Sequence, residues 1–243
     1  TMALMEVHNL NLPPRLAGAS FSLDAGEMLG IIGPNGSGKS SLLHCLAGQH
    51  PYAGECSFSG QEIRSMAPRL RAQSIGLLPQ SCESAWSLSV EDVVSLGRLP
   101  WGDANAAAIQ EAMEQAGVAT FRQRKVDQLS GGELARVWLA RVLAGCPRLL
   151  LADEPIASLD LYYQRSVMET LRRYANRENG VVIAIHDFSL AARYCDRLCL
   201  MQNGRVYACG TPANVLTEDG LSEVFQVPVH VDLTVQPPVI TTK

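Results

Sequence analysis

The stretch Glu27-Met28-Leu29-Gly30-Ile31-Ile32, followed at once by Gly33-Pro34-Asn35-Gly36-Ser37-Gly38-Lys39-Ser40, decides the fold of this chain. It is an apolar strand running into a glycine-rich loop, and Ser41–Ala47 can continue it as a helix. The eight loop residues satisfy G-x-x-x-x-G-K-[ST] in the strand–loop–helix context that gives the pattern its meaning. Glycines let successive backbone N–H groups turn inward around phosphate oxygens, and the helix N-terminus adds positive potential. Lys39 is placed to reach the outer phosphates, and the Ser40 hydroxyl to ligate Mg²⁺. The loop therefore predicts a nucleoside triphosphate site.

Outward from the loop, short β-type runs alternate with helical ones, which predicts an α/β fold with a largely parallel sheet. The strands expected are Met5–Val7, Glu27–Ile32, Ser74–Leu78, Leu149–Asp153, Val181–His186 and Arg197–Met201, with Asn203-Gly204 turning into Arg205–Cys209. Between Cys82 and Gly145 the texture becomes helical. Ser89-Val90-Glu91-Asp92 resembles a capping box, Asn105–Ala116 ends at Gly117, and a third helix starts near Gly132. Thr211-Pro212 opens another helix, and Val227–Val235 alternates like a strand.

Two further segments carry chemistry. Leu149–Ala152 delivers Asp153-Glu154 to the carboxyl end of a strand, where a parallel sheet meets its ligand. Asp153 would face the Mg²⁺ and Glu154 would act as general base toward water. Val181–Ile185 delivers His186 to the same edge, for contact with the γ-phosphate or the attacking water.

Composition excludes several classes. A net charge of −4 leaves no basic footprint for nucleic acid, so Arg64–Arg71 and Arg122–Lys125 read as solvated surface or protein contacts. Hydrophobic residues at 47% and charged ones at 18% fit an ordered chain. No run reaches the roughly 18–20 apolar residues of a membrane span, and no N-terminal stretch has a signal-peptide layout. The seven cysteines show no paired metal spacing and are expected to be buried free thiols in a reducing compartment.

Leu129-Ser130-Gly131-Gly132-Glu133, read together with Gly33–Ser40, Gln80, Asp153-Glu154, Ser158-Leu159-Asp160 and His186, resembles the ATP-binding cassette (ABC) ATPases over roughly residues 5–210. The resemblance implies a P-loop NTPase core, mostly parallel with an antiparallel β part, and an inserted helical subdomain. One ATP-binding domain over 1–243 would then have its core at about 1–82 and 145–210, its helical subdomain at about 83–144 and an extension at about 211–243. It implies ATP and Mg²⁺ as ligands, and a head-to-tail dimer in which Ser130, Gly131 and Gly132 of one copy complete the phosphate site of the other. Gln80 matches the glutamine that touches Mg²⁺ or water and relays to a permease; Ser41 matches the α-phosphate contact, and Asp160 the residue crossing the dimer seam. Ser89–Pro100 and Leu221–Val231 are similar to importers of iron–siderophore, haem and cobalamin. That group implies integral membrane permeases, a periplasmic or lipoprotein solute-binding protein, no nucleic acid partner, and a peripheral place on the cytoplasmic face of the inner membrane. Rival readings are an exporter cassette, a soluble ABC ATPase of DNA repair or translation, and a non-catalytic scaffold.

Two departures stand out. The family places an aromatic residue after the first strand to stack on adenine, whereas Leu10-Asn11-Leu12-Pro13-Pro14-Arg15 has none. Stacking by Arg15 and a weak preference for adenine are both open, and recognition is expected to rest mainly on the phosphates. Glu133 stands where Gln is commoner, with little effect expected on hydrolysis.

Overall fold

The structure, a computed structural model, describes residues 3–81 and 87–242. It begins with an antiparallel pair, β1 (Met5–Leu12) and β2 (Leu16–Leu23), joined by the turn Pro13-Pro14-Arg15. The buried strand β3 (Met28–Ile32) leads through the glycine loop into α1 (Lys39–Leu46). Then follow β4 (Ala53–Phe58), β5 (Gln61–Glu62), α2 (Pro68–Ser74) and β6 (Ile75–Leu78). Three helices come next: α3 (Val90–Ser95), α4 (Ala106–Gln115) and α5 (Gly131–Ala144). The chain returns to the sheet in β7 (Leu149–Asp153), α6 (Leu161–Tyr174), β8 (Gly180–Ala184), α7 (Phe188–Tyr194), β9 (Arg197–Gln202) and β10 (Arg205–Gly210). It ends in α8 (Pro212–Val215), α9 (Glu218–Phe225) and the hairpin β11 (Val229–Asp232) to β12 (Val239–Thr242).

The main sheet runs β10-β9-β3-β8-β7-β6, parallel except for the β9–β10 hairpin, and a second, antiparallel sheet runs β2-β1-β4-β5. The parallel strands read as continuous apolar runs because both faces are covered. Alternate residues divide cleanly. Leu29, Ile31, Leu149, Leu151, Val182 and Ala184 pack with α1 and the antiparallel sheet. Met28, Ile32, Leu150, Ala152, Val181 and Ile183 pack with the helices of the other layer. Each fully buried Leu, Ile or Val contributes roughly 1.5–3 kcal/mol of transfer free energy, so the register of the central strands is held against slippage. That register sets the site: Asp153 lies opposite Ala184, and the Glu154 and Ile185 N–H groups donate to Ala184 and Ile31 carbonyls at 3.0 and 3.1 Å.

The α/β class and the mixed parallel–antiparallel architecture agree with the sequence. The boundaries shift: the first strand extends to Leu12, and the strand expected over Val181–His186 stops at Ala184, leaving His186 in the loop. The strand expected over Val227–Val235 is confined to Val229–Asp232, because α9 persists to Phe225 and Gln226 turns left-handed at φ 57°. Strands β2 and β4 escape sequence reading because Gly and Ser interrupt their alternation.

The cysteine expectation needs correction. Cys199 and Cys209 form a disulfide, since the β9–β10 register sets them opposite each other with Cα atoms 4.2 Å apart. Cys146 is exposed, while Cys45, Cys56 and Cys195 are buried and free. Burial pushes the Cys45 thiol up to about 11 and Cys195 to about 12, which keeps both protonated and unreactive. Cys82 lies outside the described residues.

The basic clusters are tied into the protein. Arg64 pairs with Glu62 at 2.9 Å, Arg69 donates to the Pro100 carbonyl at 2.9 Å, and Arg122 and Arg124 pair with Glu91 and Glu133. Among the described residues no helix is long and apolar enough to cross a membrane.

Candidate functional site

The loop 33–40 sits at the carboxyl edge of β3, in the middle of the main sheet. Gly38 caps α1 at φ 103°, and a Cβ there would stand 2.7 Å from the Arg15 carbonyl oxygen, so only glycine fits. Gly36 differs: a Cβ on it would meet nothing within 4 Å, which leaves its backbone open to a ligand. The Lys39 ammonium lies across the loop, donating to the Gly33 and Pro34 carbonyls at 2.9 and 3.2 Å. Burial lowers its pKa, and the nearby Glu154 and Asp153 carboxylates oppose that shift. The anionic oxygens of a triphosphate are stronger partners for the ammonium than two neutral carbonyls, so a bound triphosphate would take over those N–H donors.

Asp153 ends β7 with only 2% of its surface exposed. The Ser40 hydroxyl donates to its carboxylate, while Oδ1 has no hydrogen-bond partner among the described residues. Burial raises the Asp153 pKa, and the Ser40 hydrogen bond works against it. A buried carboxylate oxygen without a partner is costly, and a divalent cation would satisfy it. The oxygens of Ser40 and Asp153 meet here, and Gln80 lines one cleft together with Ser40. They form the hard donor set that suits Mg²⁺ bound together with substrate phosphates. The residues present fit that ion.

Glu154 stands one residue on, at φ 49°, with its side chain 12% exposed. Gln80 Nε2 donates to Oε2 at 2.8 Å, and His186 Nε2 meets Oε1 at 2.5 Å. Three loops, after β6, β7 and β8, thus converge on one carboxylate. A left-handed backbone at a non-glycine residue is strained by roughly 1–3 kcal/mol. It turns Glu154 out of the strand direction while its N–H remains bonded to Ala184. With Lys39, Ser40, Ser41 and Asn35 these groups line a cleft of ≈ 500 Å³.

Ser130, Gly131 and Gly132 lie outside this cleft. Ser130 and Glu133 cap α5 reciprocally: Ser130 Oγ accepts the Glu133 N–H at 3.2 Å, and Glu133 accepts the Ser130 N–H at 2.8 Å. The latter bond and its companions lower the Glu133 pKa, and Arg124 adds an ion pair. A Cβ on Gly132 would come within 3.2 Å of Leu159 Cδ2, so the segment packs against the loop that precedes Asp160. Asp160 caps α6 by accepting the Tyr163 N–H at 3.1 Å, and Asp187, after His186, caps α7. The capping box at Ser89 agrees with the sequence, and Asn105 caps α4 by accepting the Ala108 N–H at 3.1 Å.

Two features were not legible in the sequence. Arg136 is buried and stacks 3.8 Å over the Tyr163 ring, which joins α5 to α6; no motif marks it. Leu161 and Tyr162, beside Asp160, are 84% and 75% exposed. Two apolar side chains held out in solvent at a helix start mark a contact surface, and that exposure is visible only in the folded chain.

A family profile described as ABC transporter matches residues 16–157. The chain is 43% identical over 224 residues to the hemin import ATP-binding protein HmuV of Streptomyces coelicolor, covering 90% of this chain and 80% of that one. It is 41% identical over 217 residues to the cobalamin import ATP-binding protein BtuD of Halobacterium salinarum, covering 86% of this chain and 54% of that one. Among solved structures, a metal-chelate type ABC transporter in an inward-facing conformation superposes with TM-score 0.82 at 26% identity, covering 95% and 92% of the two chains.

Proposed function

The chain belongs to the ABC transporter ATPase family, and from that premise we propose that it energises uptake of haem, an iron chelate or cobalamin through a membrane permease. It is an ATPase. The observation that carries the reading is the Glu154 carboxylate, gripped by Gln80 and His186 at the mouth of the glycine loop, directly after the buried Asp153. The solute class rests on the import proteins of haem and cobalamin to which the chain is similar over most of its length.

Each residue has a role in this reading. The backbone N–H groups of Gly33, Pro34's successors Asn35 to Lys39, and the Lys39 ammonium hold the outer phosphates; Ser41 meets the α-phosphate. Ser40, Asp153 and Gln80 would hold Mg²⁺, whose charge would offset that of the phosphoryl oxygens. Glu154 takes a proton from water as the water oxygen bonds the γ-phosphorus and the bond from that phosphorus to the β–γ bridging oxygen breaks, giving ADP and inorganic phosphate. His186 orients Glu154 and contacts the γ-phosphate. Two copies pack head to tail, so that Ser130–Gly132 and Asp160 of each close the other's site. The exposed cap of α5 suits that role, because a second helix N-terminus then faces the phosphates. The helical part at about 83–144 turns this closure into movement of permease subunits at the cytoplasmic face of the membrane, and a solute-binding protein feeds the other face.

ATP favours the closed pair through contacts that the open pair lacks, and hydrolysis removes them. The test is reconstitution, in lipid vesicles, of the chain with the permease that co-purifies with it. MgATP should drive concentration of haem, a ferric siderophore or cobalamin in the import direction. Transport in the export direction would replace the reading by that of an exporter, and hydrolysis indifferent to any permease would sink the transport role.

A further inference from the structure

The cleft has a base-sized gap in its chemistry. Among the described residues lining it there is no Phe, Tyr, Trp or aliphatic side chain, yet the ligand carries a flat heteroaromatic base. Arg15 lines the same cleft. We propose that the Arg15 guanidinium is the stacking plate for the nucleotide base; this rests on the ATPase reading above and names a residue that sets the base contact.

The order of strands places it. Gln80, Glu154 and His186 follow β6, β7 and β8, which all lie on one side of β3. The β9–β10 hairpin lies on the other side. Its turn holds Arg15: a Cβ on Gly204 would stand 2.5 Å from the Arg15 carbonyl oxygen, and Ala17 donates to the Gly204 carbonyl at 2.9 Å. The Gly204 N–H in turn donates to the Ser37 carbonyl of the glycine loop at 3.0 Å. Arg15 is therefore fastened to the flank of the loop opposite Glu154. A triphosphate whose γ end meets Glu154 must run its sugar and base toward that flank.

The side chain is also available. Arg15 is exposed and has no salt bridge among the described residues. Its backbone is fixed by the paired ends Leu12 and Leu16, by its N–H bond to Leu12 at 2.7 Å and by two prolines, whose rings limit φ. Little backbone freedom is lost on binding. A guanidinium is planar and weakly hydrated and lies flat on a π-face, whereas a strongly hydrated, compact ammonium offers no plate to stack on and makes the weaker contact. Stacking reads the face of a base rather than its edge, so adenine and guanine are served alike.

Calorimetry on the full chain carrying Glu154→Gln, which prevents turnover, tests this with MgATP, MgGTP and magnesium tripolyphosphate. Arg15→Ala should weaken MgATP and MgGTP alike by about 5- to 20-fold. Tripolyphosphate, which has no base, should bind within about twofold of the parent. Arg15→Tyr should restore both nucleotides and Arg15→Lys should not. If tripolyphosphate weakens in step, or Lys restores binding and Tyr does not, Arg15 is a phosphate cation and the inference is wrong. Unchanged nucleotide affinity in Arg15→Ala also overturns it. A parent chain that fails to bind MgATP overturns the ATPase reading itself.

Discussion

Replacing Glu154 by Gln removes a base while leaving its surroundings in place. Glu154 Oε2 accepts from Gln80 at 2.8 Å and Oε1 meets His186 Nε2 at 2.5 Å. A glutamine amide in the same position can accept from Gln80 and donate to the imidazole nitrogen, so both contacts survive. The left-handed backbone at φ 49° is no harder for Gln than for Glu. Nucleotide affinity should then stay within about threefold of the parent, a change of under about 0.7 kcal/mol. A positioned general base contributes roughly 10²–10⁴-fold to rate, or about 2.7–5.4 kcal/mol of barrier. Single-turnover phosphate release at saturating MgATP should fall by that factor, with affinity measured in parallel by calorimetry. A fall of less than tenfold at unchanged affinity would falsify Glu154 as the base. A parallel loss of affinity would show instead that the carboxylate serves to hold the ligand.

Other outcomes follow from the same geometry. Ser130→Arg should abolish steady-state hydrolysis without weakening ATP binding to isolated chains, and so should Lys39→Ala together with loss of binding. Mixing those two variants should restore activity, because one site of the mixed pair is intact; no recovery argues against a shared site. For Asp153 the sign is set by burial. Its folded pKa lies above the ordinary 3.8, so the folded chain holds the proton longer than the unfolded one, and stability falls as pH rises from about 4 through the folded pKa. The difference in Tm between Asp153→Asn and the parent, both ligand-free, should therefore move in favour of the variant between pH 4 and pH 7. A difference that does not change with pH would mean that burial of the charge costs nothing.

The parts of the site that were legible in the sequence are those where chemistry needs fixed residue types at fixed spacing. Gly33–Ser40 is such a part, since Gly38 must be glycine beside the Arg15 carbonyl and Lys39 must follow it at the helix start. Asp153-Glu154 is another, because an apolar strand that ends in two acids marks the carboxyl edge of a sheet. Strands β2 and β4 were missed, as their residues alternate only against neighbours remote in sequence: Leu10 pairs with Ala19, and Met5 with Phe58. The exposed Cys146 and the paired Cys199 and Cys209 depart from the expectation of buried thiols for a similar reason, since register decides what faces a side chain.

Sequence by itself determined the α/β class, the phosphate loop, the acids after β7 and the membership that these motifs announce. Each follows from local rules: periodicity, caps, and backbone conformations open to glycine. Tertiary structure alone decided which of those residues meet. It brought Gln80 and His186 onto Glu154 from loops 74 and 32 residues away, left Asp153 Oδ1 without a partner among the described residues, and kept Ser130 out of the cleft. It also set Arg15 on the far flank, through the order of β9 and β10 beside β3. The physical reason is the same in each case. Strand order and register are fixed by burying both faces of the sheet at once, a condition on the whole chain that no short stretch of sequence contains.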